Sequence, residues 1–118
     1  MNTANPKVVE NFFPSGELEA RYTEVDGKIT GTYRRWYRNG QIFSELEYQN
    51  GVKSGPVRQW TEAGGMLLSA SVVNGQFDGP YQSWWDNGVL KEQGVFKNGV
   101  RQPGYRWFNE DGTLHQEL

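Results

Sequence analysis

The sequence repeats itself every 24 residues. The stretch from Gly31 to Gly51, GTYRRWYRNGQIFSELEYQNG, returns as GPVRQWTEAGGMLLSASVVNG from Gly55 to Gly75 and as GPYQSWWDNGVLKEQGVFKNG from Gly79 to Gly99. Two glycine series keep the register without insertion: Gly16, Gly40, Gly64, Gly88, Gly112 and Gly27, Gly51, Gly75, Gly99. Three apolar columns keep it too. They are Phe12, Trp36, Trp60, Trp84 and Phe108; Val9, Tyr33, Val57, Tyr81 and Tyr105; and Leu18, Ile42, Met66, Leu90 and Leu114. A period of this length means a stack of like supersecondary units, each burying its apolar side only against its neighbours.

Each period holds two runs separated by turn signals. In the second run Ile42, Ser44, Leu46 and Tyr48 take one side, and Gln41, Phe43, Glu45 and Glu47 the other. Met66, Leu68, Ala70 and Val72 repeat the first side. Period two marks a half-buried strand. Between the runs stand Ser15-Gly16, Asn39-Gly40, Ala63-Gly64, Asn87-Gly88 and Asp111-Gly112. The Asn-Gly and Asp-Gly pairs suit two-residue hairpins with positive φ at both central residues. Longer connections, NGVKSG, NGQFDG and NGVRQP, then lead from unit to unit. Tyr33 and Trp36 differ in parity, so either a bulge resets the face or the two rings serve different sides.

The expected fold is all-β, a single-layer antiparallel meander of about ten strands built from 24-residue β-hairpin repeats. One repeat domain runs over 7–118, with units at about 7–30, 31–54, 55–78, 79–102 and 103–118, after a flexible polar tail at 1–6. Pro14 and the charges of Glu10, Glu17 and Glu19 suit a first strand at a sheet edge.

Composition narrows the function. A net charge of −2 gives no electrostatic reason to expect nucleic acid. Without cysteine there is no disulfide framework, thiol nucleophile or sulfur metal site. The opening MNTANPKVVENFF holds no apolar run of signal-peptide length. No stretch reaches the roughly 20 apolar residues of a membrane span, so a cytoplasmic location is expected. The one histidine, His115, leaves the serines without a recurrent base. No metal-ligand spacing appears, and no cofactor is expected. The turn glycines are not a phosphate loop, since their period explains them and no helix follows. A non-catalytic protein is expected; a small hydrolase using a carboxylate pair is the least favoured alternative.

The aromatic residues point to binding. With hydrophobic residues at only 36%, the column Phe12, Trp36, Trp60, Trp84 and Phe108 is expected to be structural. A one-layer sheet of strands about 4.8 Å apart would expose an elongated floor of such rings. Exposed apolar area on that scale marks a binding site. Tyr37, Trp85 and Trp107 stand off the regular columns, and the Trp107 column otherwise holds Asn11, Arg35, Gln59 and Ser83. Trp, Tyr and Arg dominate binding hot spots. Trp85, Trp107, Tyr37 and Arg35 are therefore the candidate partner-binding residues. Arg35 belongs to YRRWYR, Tyr33 to Arg38, a solvated strand or a local site for an acidic partner surface or a lipid headgroup.

The pattern G-x-Y-x-x-W-[YW]-x-N-G-x-[IL]-x-x-E-x-x-[YF]-x-N-G, read from Gly31–Gly51 and nearly so in Gly79–Gly99, resembles the MORN-repeat variant. The resemblance spans roughly Lys7 to Leu118. The third unit departs at Thr61, Ala63 and Ser71, and the last has Pro103 where Gly is usual. It implies the hairpin-repeat fold and, for bacterial proteins of this type, an antitoxin or immunity protein that blocks a cognate toxin sterically. A scaffold, or a homodimer joined through the edge strands near Val8 and Leu114, is the alternative. The resemblance supplies no catalytic residues.

Overall fold

A chain of alternating strands and Gly-containing turns has one economical solution, the meander, and the computed structural model of residues 5–118 adopts it. Of the expected tail at 1–6, the first four residues lie outside the described residues. The strands are β1 Lys7–Phe12, β2 Leu18–Val25, β3 Lys28–Trp36, β4 Ile42–Gln49, β5 Val52–Trp60 and β6 Met66–Val73. There follow β7 Gln76–Phe77, β8 Gly79–Trp84, β9 Leu90–Lys97, β10 Val100–Arg101, β11 Arg106–Phe108 and β12 Leu114–Glu117. All pair antiparallel in one 12-stranded sheet, ordered β1-β2-β3-β4-β5-β6-β8-β9-β11-β12. The two-residue strands β7 and β10 are side arms on β6 and β9. Extents of 55 × 37 × 14 Å fit a single layer with side chains on both faces. Among the described residues no helix is long and apolar enough to cross a membrane.

Two kinds of turn alternate, in the reverse of the expected assignment. Positive φ at both central residues occurs between units, at Asp26-Gly27, Asn50-Gly51, Asn74-Gly75 and Asn98-Gly99. The links between units are therefore tight: Gln49 pairs with Val52, and Val73 with Gln76. Within units only the glycine is left-handed. There the Tyr37 N–H donates to Gln41 O at 2.8 Å and the Gly40 N–H to Tyr37 O at 3.0 Å. This closes a three-residue loop of type I followed by a left-handed glycine. Loop length makes the difference, since the loops at Ser15-Gly16 and Ala63-Gly64, without asparagine, close by the same pair of bonds; where asparagine is present its side chain adds a further bond. Asn39 Oδ1 accepts the Gln41 N–H at 2.9 Å, and Asn87 Oδ1 the Val89 N–H at 2.9 Å. That bond stabilises the turn without positive φ at Asn.

A bulge follows every such loop. Arg35 pairs with Ser44 but Trp36 with Ile42, which leaves Phe43 unopposed. The same slip recurs at Phe12/Leu18, Trp60/Met66, Trp84/Leu90 and Phe108/Leu114. Pairing from Tyr33 to Arg35 is regular in β3, so Tyr33 and Trp36 point to opposite faces. The bulge sits in the following strand. Directly opposed residues share a face, so it transfers Ile42, Met66 and Leu90 to the tryptophan side. They do not share a face with Ser44, Leu46 and Tyr48, as plain alternation had suggested.

The two faces differ in kind. On one, Val57, Ala70 and Val72 are buried beneath Leu46, Leu68, Phe77 and Tyr81. On the other, a cross-strand row of Arg21, Arg34, Glu45, Arg58 and Ser69 is polar throughout. Ion pairs join Arg21 to Glu10 at 3.9 Å, Arg34 to Glu45 at 3.4 Å and Arg106 to Glu117 at 2.7 Å. Exposed pairs of this type stabilise by at most about 1 kcal/mol each. They keep this row of the sheet solvated.

The tryptophan column is half-buried from Trp36 to Trp84, while Phe12 is 55% exposed. A half-buried indole loses about 100 Å² of contact with water, worth about 2.5 kcal/mol. Trp60→Ala is therefore expected to cost about 2 kcal/mol and Phe12→Ala less than about 1 kcal/mol. Urea unfolding of both variants checks this; equal losses would contradict a column that weakens toward its first strand.

Candidate functional site

A one-layer sheet has no second layer to cover its apolar face, so side chains of different height there leave hollows between them. Tyr33, Leu46, Val57 and Ala70 oppose one another across β3 to β6. Beside them run Arg35, Ser44, Gln59 and Leu68, and on the other flank Tyr48 faces Lys53 and Val72 faces Phe77. The low members of these rows, Ser44 at 3% exposure and Val57 at 6%, form a floor. Tyr33, Tyr48 and Phe77 stand at the walls of a groove of about 700 Å³. Tyr33 is held upright by Tyr22, stacked at 4.8 Å between ring centres.

The groove's charge is one-sided. Arg35 and Lys53 line it, both exposed, and no Asp or Glu does. Among the described residues neither cation takes part in an ion pair. On the charged face, by contrast, Arg21, Arg34 and Arg106 each have a glutamate partner.

Toward β12 the same face closes over a polar centre. Tyr105 is wholly buried, and its hydroxyl donates to Glu92 Oε1 at 3.1 Å. Glu92 Oε2 accepts from Ser83 Oγ at 3.0 Å. The Arg101 guanidinium lies over the rings of Phe96, Tyr105 and Trp107 at 5.1–5.5 Å, with Nη2 3.8 Å from Glu92. Burial pushes the Tyr105 phenol well above its ordinary pKa; nearby Arg101 opposes the shift and the Glu92 carboxylate adds to it. Room for the ring comes from Gly94, at the repeat position held by Leu46 and Ala70. A Cβ on Gly94 would meet Tyr105 Cγ at 2.7 Å and its backbone Cα at 3.0 Å.

The four candidate contact residues fall into two places. Arg35 lines the groove. Trp107 shares its face, reached through the opposed chain Arg35–Ser44–Gln59–Leu68–Ser83–Glu92–Trp107. Six strand spacings separate the two, about 29 Å. Trp107 is half-buried, its ring 4.8 Å from that of Tyr105. Tyr37 and Trp85 lie instead in the within-unit loops along one margin. The Tyr37 hydroxyl donates to Trp60 O at 2.8 Å, and the Trp85 indole N–H to Phe108 O at 3.1 Å. Asn39 and Asn87 reach the next loop likewise, at Glu62 O and Glu110 O. The two rings thus do not interrupt the repeat. They follow it at every second unit, tying one unit to the next. Thr61, at the same position between them, is too short for this and binds its own loop's Gly65 N–H at 2.9 Å. His115 is exposed, in the unopposed bulge position of β12.

The pairs of bridging loops coincide with the result of comparison to known families. Residues 29–50 and 77–98 match the MORN repeat variant. Each matched segment ends at the asparagine of a tight turn and contains one ring-plus-asparagine bridge, Tyr37 with Asn39 or Trp85 with Asn87. The match suggests a repeat-based binding module. No curated relative matches the chain.

Sequence reasoning missed Lys53, Tyr48 and Phe77 as groove residues. Lys53 and Phe77 lie in NGVKSG and NGQFDG, which look like connections because their Asn-Gly steps resemble loop starts. Their positions two residues after Asn-Gly, followed by residues of strand-like alternation, were the available signal.

Proposed function

We propose that the chain is a non-catalytic, cytoplasmic protein-binding module that neutralises a partner, plausibly a toxin, by covering that partner's active surface. The observation that carries this reading is the open groove between Tyr33, Tyr48 and Phe77 with its two unpaired cations. Steric blocking asks for complementary surface and no chemistry from this chain. Arg35 and Trp107 are its contact residues on the groove face, with Tyr37 and Trp85 at the loop margin beside it. The test is to isolate the protein that binds the tagged chain in its native host and titrate the purified pair. Trp107→Ala is expected to weaken binding at least tenfold, about 1.4 kcal/mol, while the melting profile stays cooperative. Binding that no groove-face substitution alters would reject the reading.

A homodimer through the sheet edges is the second reading. Val8 and Leu114 are 53% and 51% exposed, and β1 and β12 each have one unpaired side. Unpaired edges template pairing with another chain. Light scattering decides it: a mass that doubles with concentration supports the dimer, and a constant monomer mass rejects it.

A further inference from the structure

We infer that the groove on β3 to β6 takes an extended acidic segment of the partner, two carboxylates flanking a short apolar stretch. This deepens the protein-binding reading above and rests on it. The groove's charge and shape both specify the ligand. Arg35 and Lys53 stand at opposite ends of a floor made of Leu46, Val57 and Ser44. Ser44 marks the Arg35 row and Tyr48 the Lys53 row, so the two rows are four residues apart along β4. That is about 13 Å along the strand, and two strand spacings add about 10 Å across it. The diagonal, about 16 Å, is the length of roughly five residues of extended chain. Two acidic side chains at positions i and i+4 of an extended segment face the same side about 13 Å apart, the length of the arginine, lysine and glutamate side chains covers the rest, and the residue midway between them lies on the apolar floor.

The rest of the molecule sharpens the assignment. Arg101, a cation over rings on this face, is already beside Glu92. On the charged face Arg21, Arg34 and Arg106 carry glutamate partners. In a chain of net charge −2, Arg35 and Lys53 line a groove whose described lining holds no carboxylate and whose apolar walls lower the local dielectric. A charged ligand there is attracted more strongly than on open surface. The guanidinium of Arg35 also offers a carboxylate two parallel donors.

The probe is a fluorescein-labelled peptide in which two glutamates flank Thr-Val-Thr, so that both carboxylates and the valine share one side of the extended chain; its control has glutamine in place of both. Fluorescence anisotropy with the whole chain is expected to show the glutamate peptide binding at least tenfold tighter than the control, with affinity falling as salt rises. The double variant Arg35→Ala/Lys53→Ala should lose that preference, and its thermal melt, unchanged because both side chains are exposed, shows that the sheet persists. Equal binding of the two peptides, no binding of either, or an unchanged preference in the double variant would overturn the inference. A native partner that still binds the double variant at full strength would overturn it as well and leave the protein-binding reading standing. Failure to find any binding protein would instead remove that reading.

Discussion

Tyr105→Ala is expected to lower the unfolding free energy by about 3–5 kcal/mol, the cost of emptying a large buried site. Among the described residues no other large side chain is fully enclosed, and its hydroxyl and ring hold Glu92, Phe96, Tyr81 and Trp107 together. Gly94→Ala should cost about 1–3 kcal/mol for the opposite reason. Its new methyl group meets the Tyr105 ring and, at 3.0 Å, a backbone atom that cannot swing aside. The two residues share one space, so the double variant should be more stable than the sum of the single losses, by about 1 kcal/mol or more. Guanidinium unfolding of the four proteins gives the coupling directly. Strict additivity would mean that Gly94 and Tyr105 do not accommodate each other.

Gly88→Val is expected to cost about 2–3 kcal/mol, while Gly88→Asn costs less than about 1 kcal/mol. Gly88 has φ +86° and nothing within 4 Å of a built Cβ, so the loss comes from backbone conformation alone. A β-branched residue strongly resists that region, whereas asparagine enters it through local hydrogen bonding. Thermal melts of the two variants separate the effects. Equal melting temperatures would show that the loop relaxes away from the left-handed glycine.

The 24-residue period made the sheet legible because every unit obeys it, down to the glycine series and the apolar columns. The kind of turn was not legible. Asn-Gly serves a tight turn at Asn50 and a type I loop at Asn39, and what separates them is the three-residue length of the loop with the bulge beside it, which spacing does not reveal. The bulge was half visible, in the unequal parity of Tyr33 and Trp36, but the strand that carries it could be fixed only by pairing. The largest rings also misled. The tryptophans suggested the centre of the fold, yet small residues such as Ala20 and Ser44 are buried while Trp36 and Trp60 are half-exposed, because tall neighbours shelter short side chains in a single layer. Of the contact candidates, Arg35 lies in the groove, whereas the bonds of Tyr37 and Trp85 to the following unit depend on loop stacking. Gly94 left a trace that could have been followed: a glycine in the column of Leu46 and Ala70, eleven residues before Tyr105.

Arg34 and Arg35 are neighbours in sequence and point to opposite faces, Arg34 across from Glu45 and Arg35 across from Ser44. That adjacency isolates the face used for binding. Calorimetric titration of the purified partner into Arg34→Glu and Arg35→Glu, with melts run alongside, is the most direct test. Binding through the groove predicts that Arg35→Glu loses tenfold or more in affinity while Arg34→Glu stays within about twofold of the original. Equal losses, or a loss confined to Arg34→Glu, would place the interface elsewhere and contradict the groove as the working surface of this chain.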